Sequence, residues 1–155
     1  MTILDTDIIV ALLKGTPGAI EKITLIEEKG ETIATTIVTV YELLKGAYLS
    51  RRCEENLAKV TDAISNMQIL DLTFNVCEEA AKSCRELKNK ETMVGEFDIL
   101  IAAIIRANNE ELVTRDEHFE LLIPDSKLQK WRKQKTWVNF NKILGISSTH
   151  MYCRL

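Results

Sequence analysis

The chain has 155 residues, 46% of them hydrophobic and 28% charged, with a net charge of −3 at neutral pH. That length suits one domain whose core needs no disulfide staple, and the composition excludes both a disordered chain and a membrane-embedded one. A net negative molecule has no general attraction for polyanions, so a nucleic acid would have to be held by a local basic patch or through metal.

The longest uninterrupted apolar run, residues 99–105, is far too short to span a bilayer. The start, Met1-Thr-Ile-Leu-Asp5, lacks the basic and apolar stretches of a secretion signal, so a cytoplasmic location is expected. Cys53, Cys77, Cys84 and Cys153 form no CxxC pair or zinc-like spacing. Reduced thiols are expected, with Cys77 and Cys84 as small buried groups on one helix face.

In chain order, residues 2–4 read as a short strand, and Asp5 opens a helix that Gly15 and Pro17 terminate. Pro17 then starts a second helix that stops at Gly30, and residues 32–35 form a second, β-branched strand. A helix from Thr39 carries Val40, Leu43 and Leu44 and breaks at Gly46. Another runs from about Arg51 to Ser65.

Residues 69–72 are a third strand. They lead into an amphipathic helix from Asn75 to about Lys90 that buries Val76, Ala80, Cys84 and Leu87. After a loop at residues 92–95, residues 97–107 are apolar nearly all round, as in a helix sandwiched in the core. Residues 112–114 are a fourth strand, with a turn at 115–119. Strands alternating with helices predict a parallel sheet with helices on both faces.

Asp5, Glu42, Asp98 and Asp116 each fall where a strand ends or a helix begins. In an open α/β sheet those positions share the rim at the strand carboxyl ends, where ligands bind. Four acids there predict an oxygen-rich pocket for a hard divalent cation. Without a cation, at least one should titrate abnormally high. Each also has a plainer role: Asp5 as helix cap, Glu42 in a Thr39-Val-Tyr-Glu42 capping box, Asp116 as turn cap. Asp98 opens an apolar helix, where an unpaired charge is costly. Asp7 can aim a further oxygen at the same point, whereas Glu96, Glu117, His118 and Glu120 read as solvated surface.

Four segments together resemble the PIN-domain ribonucleases of the VapC toxin type. They are Leu4-Asp-Thr-Asp7, Thr39-Val-Tyr-Glu-Leu-Leu-Lys-Gly46, Phe97-Asp-Ile-Leu-Ile-Ala-Ala103 and Leu112-Val-Thr-Arg-Asp-Glu-His-Phe119. The order and spacing agree over about residues 1–124. The resemblance implies an α/β fold, a PIN-like three-layer α/β/α sandwich with a central parallel sheet of four or five short strands. It makes Asp5, Glu42, Asp98 and Asp116 the catalytic and metal-site acids, with Asp7 and Thr114 in support. Two departures stand out: Asp7 occupies a position that is often Asn or Ser in the family, and residues 126–130 match poorly to the family's last strand. The PIN domain is expected over residues 1–135. Residues 136–155 form a C-terminal extension, one helix or a loosely ordered tail.

The resemblance further implies Mg²⁺- or Mn²⁺-dependent hydrolysis of RNA to 5′-phosphate and 3′-hydroxyl products, a homodimer, and a VapB-type antitoxin that blocks the acidic groove. Backbone contacts to RNA are expected from Lys14, Lys45, Arg51, Arg52, Arg115, Lys130, Arg132 and Lys133, with Trp131 available for stacking. Three alternatives remain at this point. One is an RNA-processing PIN nuclease without an antitoxin, and another is a non-catalytic binding module. The third is a haloacid-dehalogenase-like phosphatase, suggested by Asp5-Thr-Asp7 and weakened by the distance in sequence between Asp98 and Asp116.

Overall fold

The computed structural model describes residues 1–89 and 91–131. Five strands, β1 (Thr2–Leu4), β2 (Ile33–Thr36), β3 (Gln68–Leu70), β4 (Glu111–Thr114) and β5 (Leu128–Lys130), form one sheet in the order β3-β2-β1-β4-β5. Every neighbouring pair is parallel. Six helices connect them: α1 (Thr6–Leu13), α2 (Pro17–Glu28), α3 (Ile37–Tyr48), α4 (Cys53–Ser65), α5 (Phe74–Asn89) and α6 (Glu96–Asn108). This is the three-layer sandwich expected from the sequence.

Alternation along the strands builds the layers. Ile3 and Leu112 face a core shared with α5 and α6, whereas Leu4 and Val113, next in line, face a second core lined by α1 to α4. Helix α6 is buried almost all round, with Ile101, Ala102, Ala103, Ile104 and Ile105 at 1% exposure or less. Among the described residues no helix is long and apolar enough to cross a membrane.

Several local expectations are corrected. Helix α3 does not break at Gly46 but continues to Tyr48. Glycine costs a helix only about 1 kcal/mol relative to alanine, and buried Leu43 and Ala47 fasten this turn to the core. Its cap is Thr36, whose hydroxyl accepts from the Thr39 amide at 3.0 Å. Thr39 therefore lies inside the helix, and Glu42 is not a capping-box residue.

On α5 the buried positions are Val76, Ala80, Ser83 and Leu87, while Cys77 and Cys84 are exposed free thiols. Ser83 tolerates burial because its hydroxyl donates to the Glu79 carbonyl and accepts from Arg106. Residues 128–130 do form the fifth strand, paired to β4 from Leu112↔Leu128 to Thr114↔Lys130. Its sequence, Leu-Gln-Lys, has no β-branched residue to announce it. The extension at residues 136–155, along with Arg132, Lys133 and Cys153, lies outside the described residues.

Candidate metal centre at the strand rim

Successive connections run to opposite sides of β1, with β2 on one side and β4 on the other. The crevice between the ends of β1 and β4 is therefore a topological switch point, the usual ligand site of such sheets. Asp5 and Asp116 follow those two strands. Asp5 caps α1 by accepting from the Thr6 amide at 2.7 Å, and its other oxygen accepts from the Thr114 hydroxyl at 2.8 Å. Thr114 in turn accepts from the Asp116 amide at 3.0 Å. One buried hydroxyl thus ties the two strand ends together.

Glu42 and Asp98 arrive on helices. The Thr6 hydroxyl donates to Glu42 at 2.5 Å, which joins α3 to the Asp5 turn. Asp98, in the first turn of α6, bonds back to the amide of the cap residue Gly95. The residues just before these two acids, Tyr41 and Phe97, meet edge to face at 5.5 Å and hold the helices in register. Across the crevice, Nδ1 of His118 lies 3.5 Å from Asp98 and 3.4 Å from Asp116.

Asp98, Asp116 and His118 offer ligand atoms all within 4.8 Å of one another, which among the described residues is the one group of this kind. The rim therefore holds two linked subsets: Asp98, Asp116 and His118 as a compact cluster, and Asp5 with Glu42 joined to it through Thr6 and Thr114. His118 is exposed, as expected of a surface residue, yet it also faces both acids. Its signal was its place two residues after Asp116, whose side chain caps the turn by accepting from the His118 amide at 2.8 Å and so folds His118 back over the site.

Burial is the first cause that pushes the Asp5 carboxyl up, to about 7; the Thr114 hydrogen bond opposes it, and the charges of Asp7 and Glu42 add to it. Asp98 is also raised, first by burial and then by Asp116, with His118 acting the other way. The high titration expected from carboxylate repulsion thus arises mainly from desolvation. A donor set of carboxylates with one imidazole, clustered at the strand rim, fits a hard divalent cation.

Asp7 does not join this cluster. One of its oxygens accepts from the Arg115 amide and Nε, at 2.8 and 3.1 Å, and the other from Nε1 of Trp131 at 3.2 Å. Trp131 is 4% exposed, so it is no stacking platform for RNA. Of the other basic candidates, Lys130 pairs with Glu120 at 2.8 Å, and Arg52 reaches Glu55 at 3.7 Å. Arg51 and Arg52 sit in the turn after α3, at the far end of that helix from the rim. Lys14 lines a cavity of about 420 Å³ between α1, α3 and α4 that is also lined by Glu42 and Thr6.

Gly95 gives a direct handle on Asp98. A Cβ there would sit 3.1 Å from the Asp98 Oδ2 atom, tight enough to displace it by a few tenths of an ångström. Gly95→Ala is expected to slow any metal-dependent reaction by up to about tenfold, since small misplacements of reacting groups are costly. The loss of the glycine cap should cost only about 1 kcal/mol of stability. Metal titration and urea melts of the variant separate the two effects.

Residues 2–122 match the PIN domain family. The chain is 29% identical to ribonuclease VapC2 of Rickettsia felis over 130 residues, which is 84% of this chain and 97% of that protein. It is 31% identical to ribonuclease VapC2 of Haemophilus influenzae over 121 residues, 77% of this chain and 90% of that one. Its fold is similar to that in the crystal structure of VapBC2 from Rickettsia felis bound to a DNA fragment from the promoter. There the TM-score is 0.76 at 28% identity, covering 84% of this chain and 98% of the other. The chain belongs to the PIN domain family.

Proposed function

We propose that this protein is a divalent-metal-dependent endoribonuclease, the toxin of a VapBC-type toxin–antitoxin pair. The observation that carries the reading is the Asp98, Asp116 and His118 cluster, linked through Thr114 to buried Asp5 in a chain of the PIN family. The phosphatase alternative has less behind it: the groups that bond Asp5 are Thr6 and Thr114, with no lysine among them. Carboxylates in this number suit Mg²⁺ or Mn²⁺, which prefer oxygen ligands.

Asp5, Asp98 and Asp116 are the proposed metal ligands, and Glu42 either joins them or takes the proton from the attacking water. The cation, when bound, makes water a stronger acid and neutralises charge on the phosphate oxygens. The chain's own work is to hold these acids in place. Thr114 fixes the Asp5 oxygen facing it, Thr6 fixes Glu42, and Gly95 fixes Asp98. Cleavage leaves a 5′-phosphate and a 3′-hydroxyl.

A VapB-type antitoxin is the proposed partner, acting in the cytoplasm. The cavity beside Glu42, floored by Val10, Leu13, Leu43, Ala47 and Val60, offers apolar surface next to the acids. An antitoxin segment there could end on an arginine that pairs with the carboxylates. A homodimer is also proposed: Tyr41 and Tyr48 are 51% and 65% exposed on α3, while Leu44 is partly buried and turned toward the core. Closed two-fold pairing is the common way to cover such a face. Sedimentation at micromolar concentration should give twice the chain mass, and Tyr48→Glu should halve it; a wild-type monomer would remove the dimer from the account.

The function is tested by incubating a defined single-stranded RNA with the protein in Mg²⁺, in Mn²⁺ and in EDTA. Cleavage in metal alone, with 5′-phosphate ends, is expected. Cleavage that persists in EDTA would overturn the metal-dependent reading.

A further inference from the structure

Arg115 sits between two residues of the metal centre, Thr114 and Asp116, and is held on three sides. Its amide and Nε share one Asp7 oxygen, its guanidinium carbon lies 4.1 Å over the Trp131 ring, and Trp131 is itself bonded to the other Asp7 oxygen. An arginine ordinarily keeps about 2 kcal/mol of rotamer entropy. Here the Nε bond to Asp7 and the ring beneath the guanidinium restrict that freedom. The side chain nevertheless stays 39% exposed, and its two terminal nitrogens bond to no described residue.

The neighbourhood explains what a fixed, half-open guanidinium can do. Asp5, Glu42, Asp98 and Asp116 repel a phosphodiester, so a phosphate brought to the rim needs a cation beside it. The terminal nitrogens of arginine form a planar fork that matches two phosphate oxygens. Lys130, a described cation on the same edge, is held by Glu120 at 2.8 Å and reaches the Asp116 carbonyl at 3.4 Å; it lacks both the fork and the ring beneath it. We propose that Arg115 is the phosphate-binding residue of the site, and that Asp7 and Trp131 are positioning residues that aim its free edge at the RNA backbone next to the cleaved bond. This inference rests on the ribonuclease reading above.

The test measures the cleavage rate of a defined single-stranded RNA against RNA concentration, in Mn²⁺, at several salt concentrations, with thermal melts alongside. Arg115→Gln should raise the half-saturating RNA concentration by at least about tenfold, the value of one charge-assisted hydrogen bond. It should also flatten the slope of log affinity against log salt by about 0.7, the contribution of one phosphate contact on a single strand. Should that variant fail to fold, Arg115→Lys keeps the charge; it should weaken RNA binding while leaving the salt slope as in wild type. Trp131→Phe keeps a ring under the guanidinium but loses the bond to Asp7, and should raise half-saturation with the slope unchanged. If Arg115→Gln and Arg115→Lys lower the melting temperature but match wild type in half-saturation and salt slope, Arg115 is only a fastener for β5 and the proposal is overturned. A Trp131→Phe variant identical to wild type would remove Asp7 and Trp131 from it. A wild type that cleaves no RNA overturns the ribonuclease reading itself, and this inference with it.

Discussion

Asp98→Asn is expected to lower RNA cleavage by about a thousandfold or more while leaving the fold intact. A divalent cation supplies several kcal/mol of charge stabilisation to phosphodiester hydrolysis, and each 1.36 kcal/mol is worth about tenfold in rate. The amide is nearly the size of the carboxylate, and its oxygen can still accept from the Gly95 amide that Asp98 now engages. Helix α6 is held by the apolar residues from Ile99 to Ile105, and none of that packing involves the charge. Urea melts of wild type and variant in EDTA should nearly coincide. A variant that loses activity only because it unfolds would show it there.

The second large effect is on stability against pH. Burial raises the Asp5 carboxyl from its ordinary 3.8 to about 7, so the folded protein holds that proton more tightly than the unfolded chain does. The stability tied to the proton is complete below about pH 4 and is lost as pH rises through about 7. A rise of that size corresponds to about 4 kcal/mol as an upper bound. Metal-free protein should therefore be less stable at pH 8 than at pH 5 through this group, and Mn²⁺ should restore most of the difference by binding the native state alone. Asp5→Asn should flatten the dependence. Identical melts at both pH values, with and without metal, would show that the pocket neither carries this strain nor binds a cation.

Much of the fold was legible because its signals were local and repeated. Asp5 as a cap, Gly15 and Gly30 in the left-handed region at helix ends, and Pro17 at the first turn of α2 are all written in adjacent residues. The α5 face was misread by one position, because a helix of 3.6 residues per turn admits either Ser83 or Cys84 on the stripe. Arg106 decides between them, by bonding Ser83 from another helix. Strand β5 was legible only as a poor match at residues 126–130, since its pairing with β4 outweighs a sequence with poor strand propensity.

The candidate site divides in the same way. Asp5 and Asp116 follow strands and Asp98 opens α6, where the chain places them, but Glu42 lies in the middle of α3, which starts at Ile37 rather than Thr39. Which acids touch could not be read, since that depends on contacts between distant residues: Thr114 to Asp5, Thr6 to Glu42, His118 to Asp98. Asp7 and Trp131 are the plainest case. One looked like a metal ligand and the other like a base-stacking ring, and a bond across 124 positions of sequence joins them instead.

That Asp5 and Asp116 after β1 and β4, together with Asp98 on α6, bind a divalent cation is tested most directly by equilibrium titration of Mn²⁺ into metal-free protein, followed through the signal of free Mn²⁺. Wild type should show saturable binding that Asp98→Asn and Asp116→Asn each abolish or weaken by at least about tenfold, as loss of a direct carboxylate ligand should. Wild type that binds no Mn²⁺, or variants that bind it as wild type does, would contradict the account.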